Sequence, residues 1–317
     1  MENLVLLVAE CSEFPAEAVR LLRDHHDVRL RDIKKFDDLL REVETAQVLW
    51  VRLRHRITEQ VFDHAPRLRM LVSPTTGLNH IDLDAASERN VEVVSLLGEG
   101  DFLKEIRATA EHTVAMTLAL IRQLPAAARH VMEGGWDRDL FRGGELFGST
   151  IGVVGYGRLG RIVATYFTAF GATVLATDPN VTIDDVRDGV EMTTLEDLSR
   201  RADVVSLHVS LSAESAGFFG AQELGTMKPS AFLINTSRGE ILDEKALLDA
   251  LRSGRLSGAA LDVLTGENPE GMDDHPLVRY SARNPNLIIT PHIGGNTSQS
   301  RSRAEIFLAR RVAEWTD

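Results

Sequence analysis

Residues 150–160 read Thr150-Ile151-Gly152-Val153-Val154-Gly155-Tyr156-Gly157-Arg158-Leu159-Gly160, an apolar run that passes directly into three glycines at fixed offsets. From Arg158 to Phe170 the apolar residues Leu159, Ile162, Val163, Tyr166, Phe167 and Phe170 recur at helical spacing and share one face. A second apolar run, Thr173 to Thr177, ends at Asp178, 23 residues after Gly155. Strand, glycine turn, helix, strand and terminal acid in this order form a dinucleotide-binding unit. Gly155 makes the tight turn, Gly157 lets the backbone approach a pyrophosphate, and Gly160 lets the helix pack on the strand. The helix opening at Arg158 and Leu159 presents its positive end to the diphosphate. Asp178 is placed to accept hydrogen bonds from the adenosine ribose, and its charge would repel a 2′-phosphate, so NAD is expected over NADP.

The pattern continues on both sides. Downstream, Val204 to His208, Ala231 to Asn235, Gly258 to Leu261 and Leu287 to Thr290 read as further buried strands. Upstream, Leu4 to Ala9, Val28 to Leu30, Val48 to Leu53, Met70 to Ser73 and Val91 to Ser95 read as strands. Ala16 to Asp24, Phe36 to Thr45, Thr58 to His64 and Leu83 to Arg89 read as the helices between them. Alternation of this kind implies parallel sheets covered on both faces. Glu105 to Met132 is predicted as one long helix with only Pro125 to break it, ending at Gly134-Gly135. Thr297 to Trp315 is also helical but has no strand after it, so it must dock on a layer already built.

The chain has 317 residues, beyond the size at which one core usually stops growing, which favours two domains. With 44% hydrophobic and 26% charged residues it is a packed globule rather than a disordered chain. Its 35 basic and 47 acidic side chains leave a net charge of −12, which repels polyphosphate and argues against nucleic-acid binding. The single cysteine, Cys11, forms no intrachain disulfide, and no Cys/His spacing suits a metal. A reducing, cytoplasmic setting is expected. The apolar run at Leu4 is too short for a membrane or secretory segment.

Three further segments each follow an apolar strand: Asn235-Thr236-Ser237-Arg238-Gly239-Glu240, Asp262-Val263-Leu264-Thr265-Gly266-Glu267-Asn268-Pro269, and Thr290-Pro291-His292-Ile293-Gly294-Gly295. In an open α/β sheet, ligands sit off the carboxyl ends of the strands, so all three crowd one edge. Hydride transfer between an alcohol and a nicotinamide needs a group that exchanges the hydroxyl proton near neutral pH, and His292 suits that task. Glu267 beside it would favour the imidazolium and orient the ring. Arg238 offers a planar fork for a substrate carboxylate and polarises the adjoining carbonyl. Taken singly, an isolated histidine such as His292 is more often a structural hydrogen-bonding residue, and Arg238 with Glu267 reads equally as a surface ion pair.

Taken together, these segments resemble the NAD-dependent D-2-hydroxyacid dehydrogenases, in the phosphoglycerate dehydrogenase-like branch, over nearly the whole chain. The resemblance rests on the glycine turn with Asp178, on Asn235 to Glu240 followed by Leu242-Asp243-Glu244-Lys245-Ala246-Leu247, on Gly258 to Val263, and on Pro291 to Gly295. It implies catalytic roles for Arg238, Glu267 and His292, and a contact from Asp262 to the nicotinamide carboxamide. His208, Val209, Thr236, Ser237 and Gly294 would line the cofactor groove. It also implies the architecture: two doubly wound parallel-sheet α/β domains, with a Rossmann NAD domain (104–292) inserted into a flavodoxin-like substrate domain (1–103 and 293–317). The helix after Glu105 would build a homodimer. No regulatory domain is expected after the last helix, and hence no feedback control by serine.

On the substrate side, the turn Thr75-Thr76-Gly77-Leu78-Asn79-His80 resembles the family's substrate loop, in which backbone N–H groups of Thr76 and Gly77 hold a carboxylate. Arg52 occupies the position that meets the substrate phosphate in phosphoglycerate dehydrogenases, although an Arg-rich strand end is also a common solvated edge. The stretch 95–107 departs from the family by a few extra residues, with Lys104 and Arg107 within reach of substrate. Glu267-Asn268-Pro269 stands where the family usually has Glu-Pro. A formate dehydrogenase reading is disfavoured because that relative pairs its histidine with glutamine. The alternative is an NADH-sensing, corepressor-like interaction protein with the same fold. His25, His26 and His130 are read as surface residues.

Overall fold

The computed structural model describes residues 3–181, 189–267 and 271–315. It divides into two compact units, one comprising residues up to Ile106 together with those from Thr297, the other Arg107–Asn296. The first holds β1 (Val5–Val8), β2 (Asp27–Leu30), β3 (Val48–Trp50), β4 (Met70–Ser73) and β5 (Glu92–Ser95). The second holds β6 (Thr150–Val154), β7 (Thr173–Thr177), β8 (Val190–Met192), β9 (Val204–Leu207), β10 (Phe232–Asn235), β11 (Gly258–Leu261) and β12 (Leu287–Ile289).

Both sheets are parallel throughout. The first has the order β2-β1-β3-β4-β5, the flavodoxin-like arrangement; the second has β12-β11-β10-β9-β6-β7-β8, a Rossmann sheet with one strand added beyond the usual six. Because successive side chains on a strand face opposite ways, each sheet needs two cores. In the first unit Leu6, Val8, Val48 and Trp50 pack on one face while Leu7, Ala9, Leu49 and Val51 pack on the other. In the second, Ile151 and Val153 join one cluster and Val154, Val205 and Leu207 the other.

The helix Ser298–Ala313 supplies Ala304, Leu308, Ala309 and Val312 to the first unit's core, where it packs beside the helix Ala16–Arg23. Two boundaries move from their expected places for physical reasons. Residues 104–106 stay with the first unit because Phe102 stacks on Phe307 at 4.1 Å, Ile106 packs on the same cluster and Arg303 donates to the Glu105 carbonyl. Residues 293–296 stay with the second because the amides of Ile293 and Gly294 are bound to Asp262.

Other expectations are corrected. The long helix expected from Glu105 to Met132 is broken into Ala108–Ile121 and Leu124–Met132, and a separate short helix, Gly100–Leu103, precedes it. The break falls at Gln123, held in the left-handed region at φ 53°, and Pro125 opens the next helix rather than kinking a continuous one. The third strand ends at Trp50 instead of Leu53, since the amides of Arg52 and Arg54 turn to the buried Glu10 carboxylate. β8 was not expected, and its short, half-exposed residues explain why. His26 is buried, with Nε2 3.4 Å from the Val312 carbonyl, instead of lying at the surface.

Candidate active site

The glycine turn lies where the strand order of the second sheet reverses, between β6 and β9. Gly155 has φ +92°, and a side chain there would strike the His208 carbonyl and the Val209 amide. At Gly160 an added Cβ would lie 2.0 Å from the Gly155 carbonyl oxygen, so helix and turn touch backbone to backbone. Gly157, by contrast, is exposed and opens on free space. It caps the helix Arg158–Ala169, whose Ile162, Val163 and Phe167 are buried, whereas Phe170, expected on that face, is half exposed.

Asp178 follows β7, whose last residue, Thr177, accepts the Gly155 amide at 2.9 Å, so the acid stands beside the turn. Arg158 is half-buried; burial lowers its pKa, and the nearby Arg107 adds to the effect. His208 borders the turn with Nε2 2.8 Å from Ser206 Oγ, while its buried Nδ1 has no hydrogen-bond partner. Burial pulls its pKa down to about 4, so the ring is neutral at physiological pH. An open glycine at a helix start, an acid after the next strand and an unsatisfied buried nitrogen are features that suit a dinucleotide.

On the other side of β9, three strand ends bring the expected chemical groups together. Past β10, Asn235 folds the next turn upon itself: Oδ1 accepts from the amide and hydroxyl of Ser237, and Nδ2 donates 2.9 Å to the Arg238 carbonyl. Arg238 Nη1 donates 2.6 Å to the Ser237 carbonyl. Burial lowers its pKa, opposed by the neighbouring carboxylates of Glu267 and Glu240. Glu267 Oε1 accepts the Leu264 amide at 3.0 Å, and Oε2 stands 2.6 Å from His292 Nδ1. Asn268 and Pro269 lie outside the described residues.

His292 itself has φ 52°, a strained value for a residue with a side chain. Asp262, only 2% exposed, holds this turn: its carbonyl takes the His292 amide at 2.8 Å, Oδ1 takes Ile293 N at 2.9 Å, and Oδ2 takes Gly294 N at 2.7 Å. Burial alone would raise the Asp262 pKa, but donors from His112, Thr290, Ile293 and Gly294 outweigh it and hold the carboxyl below its ordinary value. The helix Ala108–Ile121 braces both turns from behind. His112 Nε2 lies 3.1 Å from Thr290 Oγ1, and Thr113 Oγ1 lies 2.8 Å from Thr236 Oγ1.

Residues 114–294 match the family model for the D-isomer specific 2-hydroxyacid dehydrogenase, NAD binding domain. The chain belongs to that family. It is 37% identical to a D-3-phosphoglycerate dehydrogenase of Mycobacterium bovis over 309 residues, which cover 97% of this chain and 56% of that protein. The chain thus spans about half the length of the phosphoglycerate dehydrogenases it matches. It is 32% identical to a glyoxylate reductase of Thermofilum pendens, covering 94% of this chain and 88% of that one. Among solved structures, the D-lactate dehydrogenase from Aquifex aeolicus complexed with NAD and lactic acid superposes with a TM-score of 0.80 at 29% identity, covering 97% of this chain and 94% of that one.

In the first unit, the turn at Thr76 and Gly77 is stabilised from within: Thr75 Oγ1 donates 2.9 Å to the Gly77 carbonyl and meets Ser73 Oγ at 3.0 Å, and His80 Nε2 lies 3.1 Å from that same Ser73 Oγ. Thr76 is exposed at its tip. Arg52 and Arg54 do not converge on one ligand. Arg52 Nε donates to the buried Glu305 at 2.6 Å and Nη1 to the Ser12 carbonyl, whereas Arg54 turns to Asp32 and the Ile33 carbonyl. Lys104 pairs with Asp101 on its own short helix.

The sequence reading missed Asn235, His112 and Thr290. Asn235 carried a local signal, an Asx residue followed two positions later by serine. His112 and Thr290 carried none, since 178 residues separate them. Among the described residues there is no cluster of metal-ligand type, and no helix is long and apolar enough to cross a membrane.

Proposed function

We propose that the chain reversibly reduces a 2-oxo acid to the D-2-hydroxy acid with NADH. The observation that carries this reading is the 2.6 Å contact between Glu267 Oε2 and His292 Nδ1, with Arg238 close enough to feel the Glu267 charge. Gly155, Gly157, Arg158, Leu159, Gly160 and Asp178 would hold NAD, with His208, Val209, Thr236, Ser237, Asp262 and Gly294 along its groove. When bound, the reduced cofactor supplies the hydride to C2. His292 gives its Nε2 proton to the developing alkoxide, and Glu267 stabilises the imidazolium before that transfer. Arg238 binds the substrate carboxylate in a fork and draws electron density from the adjoining carbonyl. The backbone donors of Thr76 and Gly77 are the candidate anion turn of the first unit.

Arg52 weighs against a dependence on substrate phosphate, because its guanidinium is already engaged by Glu305. A panel of 2-oxo acids with and without phosphate, assayed for NADH oxidation, tests the reading. Turnover of at least one acid, lost in His292→Ala while NADH still binds, is expected. NADH binding with no turnover across the panel would favour the interaction-protein alternative. Asp178→Ala should weaken NADH binding and narrow the preference over NADPH.

We also propose a cytoplasmic homodimer. The helix Leu124–Met132 and the segment after it leave Leu124, Val131, Met132 and Trp136 exposed, Trp136 at 90%, an apolar stripe that water does not favour. Light scattering should give twice the chain mass, and Trp136→Asp should shift it toward the monomer.

A further inference from the structure

The His292 turn is strained at its centre, and the group restraining it is itself held from a distant helix. Asp262 takes one backbone donor on Oδ2, whereas Oδ1 collects Ile293 N at 2.9 Å and the Thr290 hydroxyl at 2.6 Å. His112 Nε2 approaches the same Oδ1 at 3.2 Å and Thr290 Oγ1 at 3.1 Å.

The protonation of that nitrogen follows from its neighbours. An ionised carboxylate only accepts, and the Thr290 hydroxyl proton is directed to Asp262, so both atoms facing Nε2 present lone pairs. A bare Nε2 would set three acceptors against one another in a nearly dry site. Nε2 therefore carries a hydrogen and donates. With side-chain exposures of 18% for His112 and 2% for Asp262, little solvent competes for the contact. The space around the clamp is also filled: a Cβ on Gly294 would meet Asp262 Oδ2 at 2.9 Å and Thr109 Cγ2 at 3.3 Å, both within the same cradle.

We propose that His112 is a positioning residue of the reaction: by donating from Nε2 to Asp262 it fixes the carboxylate that holds the left-handed turn, and so fixes the His292 ring. The inference rests on the reading of His292 as the acid/base. Its physical basis is that His112 adds to Oδ1 a donor from a separate helix, which restricts the carboxylate beyond what the turn's own donors do and opposes relaxation of the turn to a backbone conformation that a histidine prefers. A displacement of the ring by about 1 Å is enough to slow a proton transfer about a hundredfold. His112 touches neither substrate nor cofactor in this scheme.

The test compares His112→Phe, which removes the donor, with His112→Gln, whose Nε2 amide restores one at similar reach, in the full chain with NADH and the best oxo acid. The expected result for His112→Phe is a kcat lower by about 10- to 100-fold with the NADH dissociation constant changed less than about threefold. His112→Gln should recover at least a third of wild-type kcat. If His112→Phe fails to fold, His112→Asn, whose amide is too short to reach, takes its place with the same expected loss. A kcat within threefold of wild type in the donor-less variant overturns the proposal, as does an equal loss in His112→Gln with the fold intact. A readout without turnover separates this from the dehydrogenase reading. The His292 ring carbon–proton resonance should move in His112→Phe and return in His112→Gln even when no oxo acid is reduced, and an unmoved resonance overturns the inference.

Discussion

Glu267 grips two partners at once, its own loop through the Leu264 amide at 3.0 Å and the His292 ring at 2.6 Å. The same carboxylate therefore shapes the loop and orients the His292 ring. In Glu267→Gln the loop contact survives, since an amide oxygen still accepts, but the negative charge 2.6 Å from the His292 ring is gone. Turnover should fall about 10- to 100-fold with thermal stability nearly unchanged. Steady-state rates beside a melting curve decide it: a variant as fast as wild type would remove Glu267 from the proton path.

The roles of Gly157 and Gly160 can be separated. Gly160→Ala drives a Cβ into the Gly155 carbonyl at 2.0 Å and should cost about 1–3 kcal/mol of stability. Gly157→Ala meets nothing within 4 Å, so its stability should stay within about 0.5 kcal/mol. NADH affinity should nonetheless drop at least about tenfold, because the methyl occupies the approach of the pyrophosphate. Urea unfolding and a fluorescence titration of NADH report these separately; unaltered affinity in Gly157→Ala would contradict the assigned cofactor path.

Acid should loosen the second unit through His208. Its folded pKa, drawn down to about 4 by burial, lies below the value near 6.5 of an unfolded histidine. The unfolded chain then binds the extra proton first, so the stability His208 contributes is complete above about pH 6.5 and is lost as pH falls toward 4. His208→Gln should flatten that limb of a melting-temperature profile. Parallel profiles for the two proteins would show that the ring is not shielded.

Arg52 is expected to matter for folding more than for substrate. Its partner Glu305 is 1% exposed, and burial pushes that carboxyl's pKa up against the pull of Arg52. Removing the guanidinium strands a buried acid, so Arg52→Ala should destabilise the protein by about 3–5 kcal/mol. Arg52→Met with Glu305→Leu should recover most of it. An unchanged unfolding midpoint with a raised KM would instead make Arg52 a substrate ligand.

What could be read from the sequence is what consecutive residues encode. The glycine turn, its strand and helix, and the acid after β7 occupy 29 positions, from Thr150 to Asp178, and each constrains its neighbours directly. The strand β4 and the strands β6, β7 and β11 fall at their expected bounds because each is a short apolar run closed by polar or turn residues. The clamp on His292 could not be read this way, since His112, Asp262 and Thr290 meet only once the sheet is assembled. The same holds for Arg52, whose partner lies 253 positions on, and for His26, which is covered by a helix near the end of the sequence. Gln123 breaks a helix without a glycine or a preceding proline to announce it.

The first unit's core is closed by the helix Ser298–Ala313, from a part of the chain just over two hundred residues after the last of its strands. On the ribosome, the parallel sheet that emerges earliest keeps exposed the part of one apolar face that the helix Ala16–Arg23 does not cover, until residues 298–313 have been made. The first unit can therefore complete its burial only after the second unit's strands have been synthesised, although its own strands were made earlier.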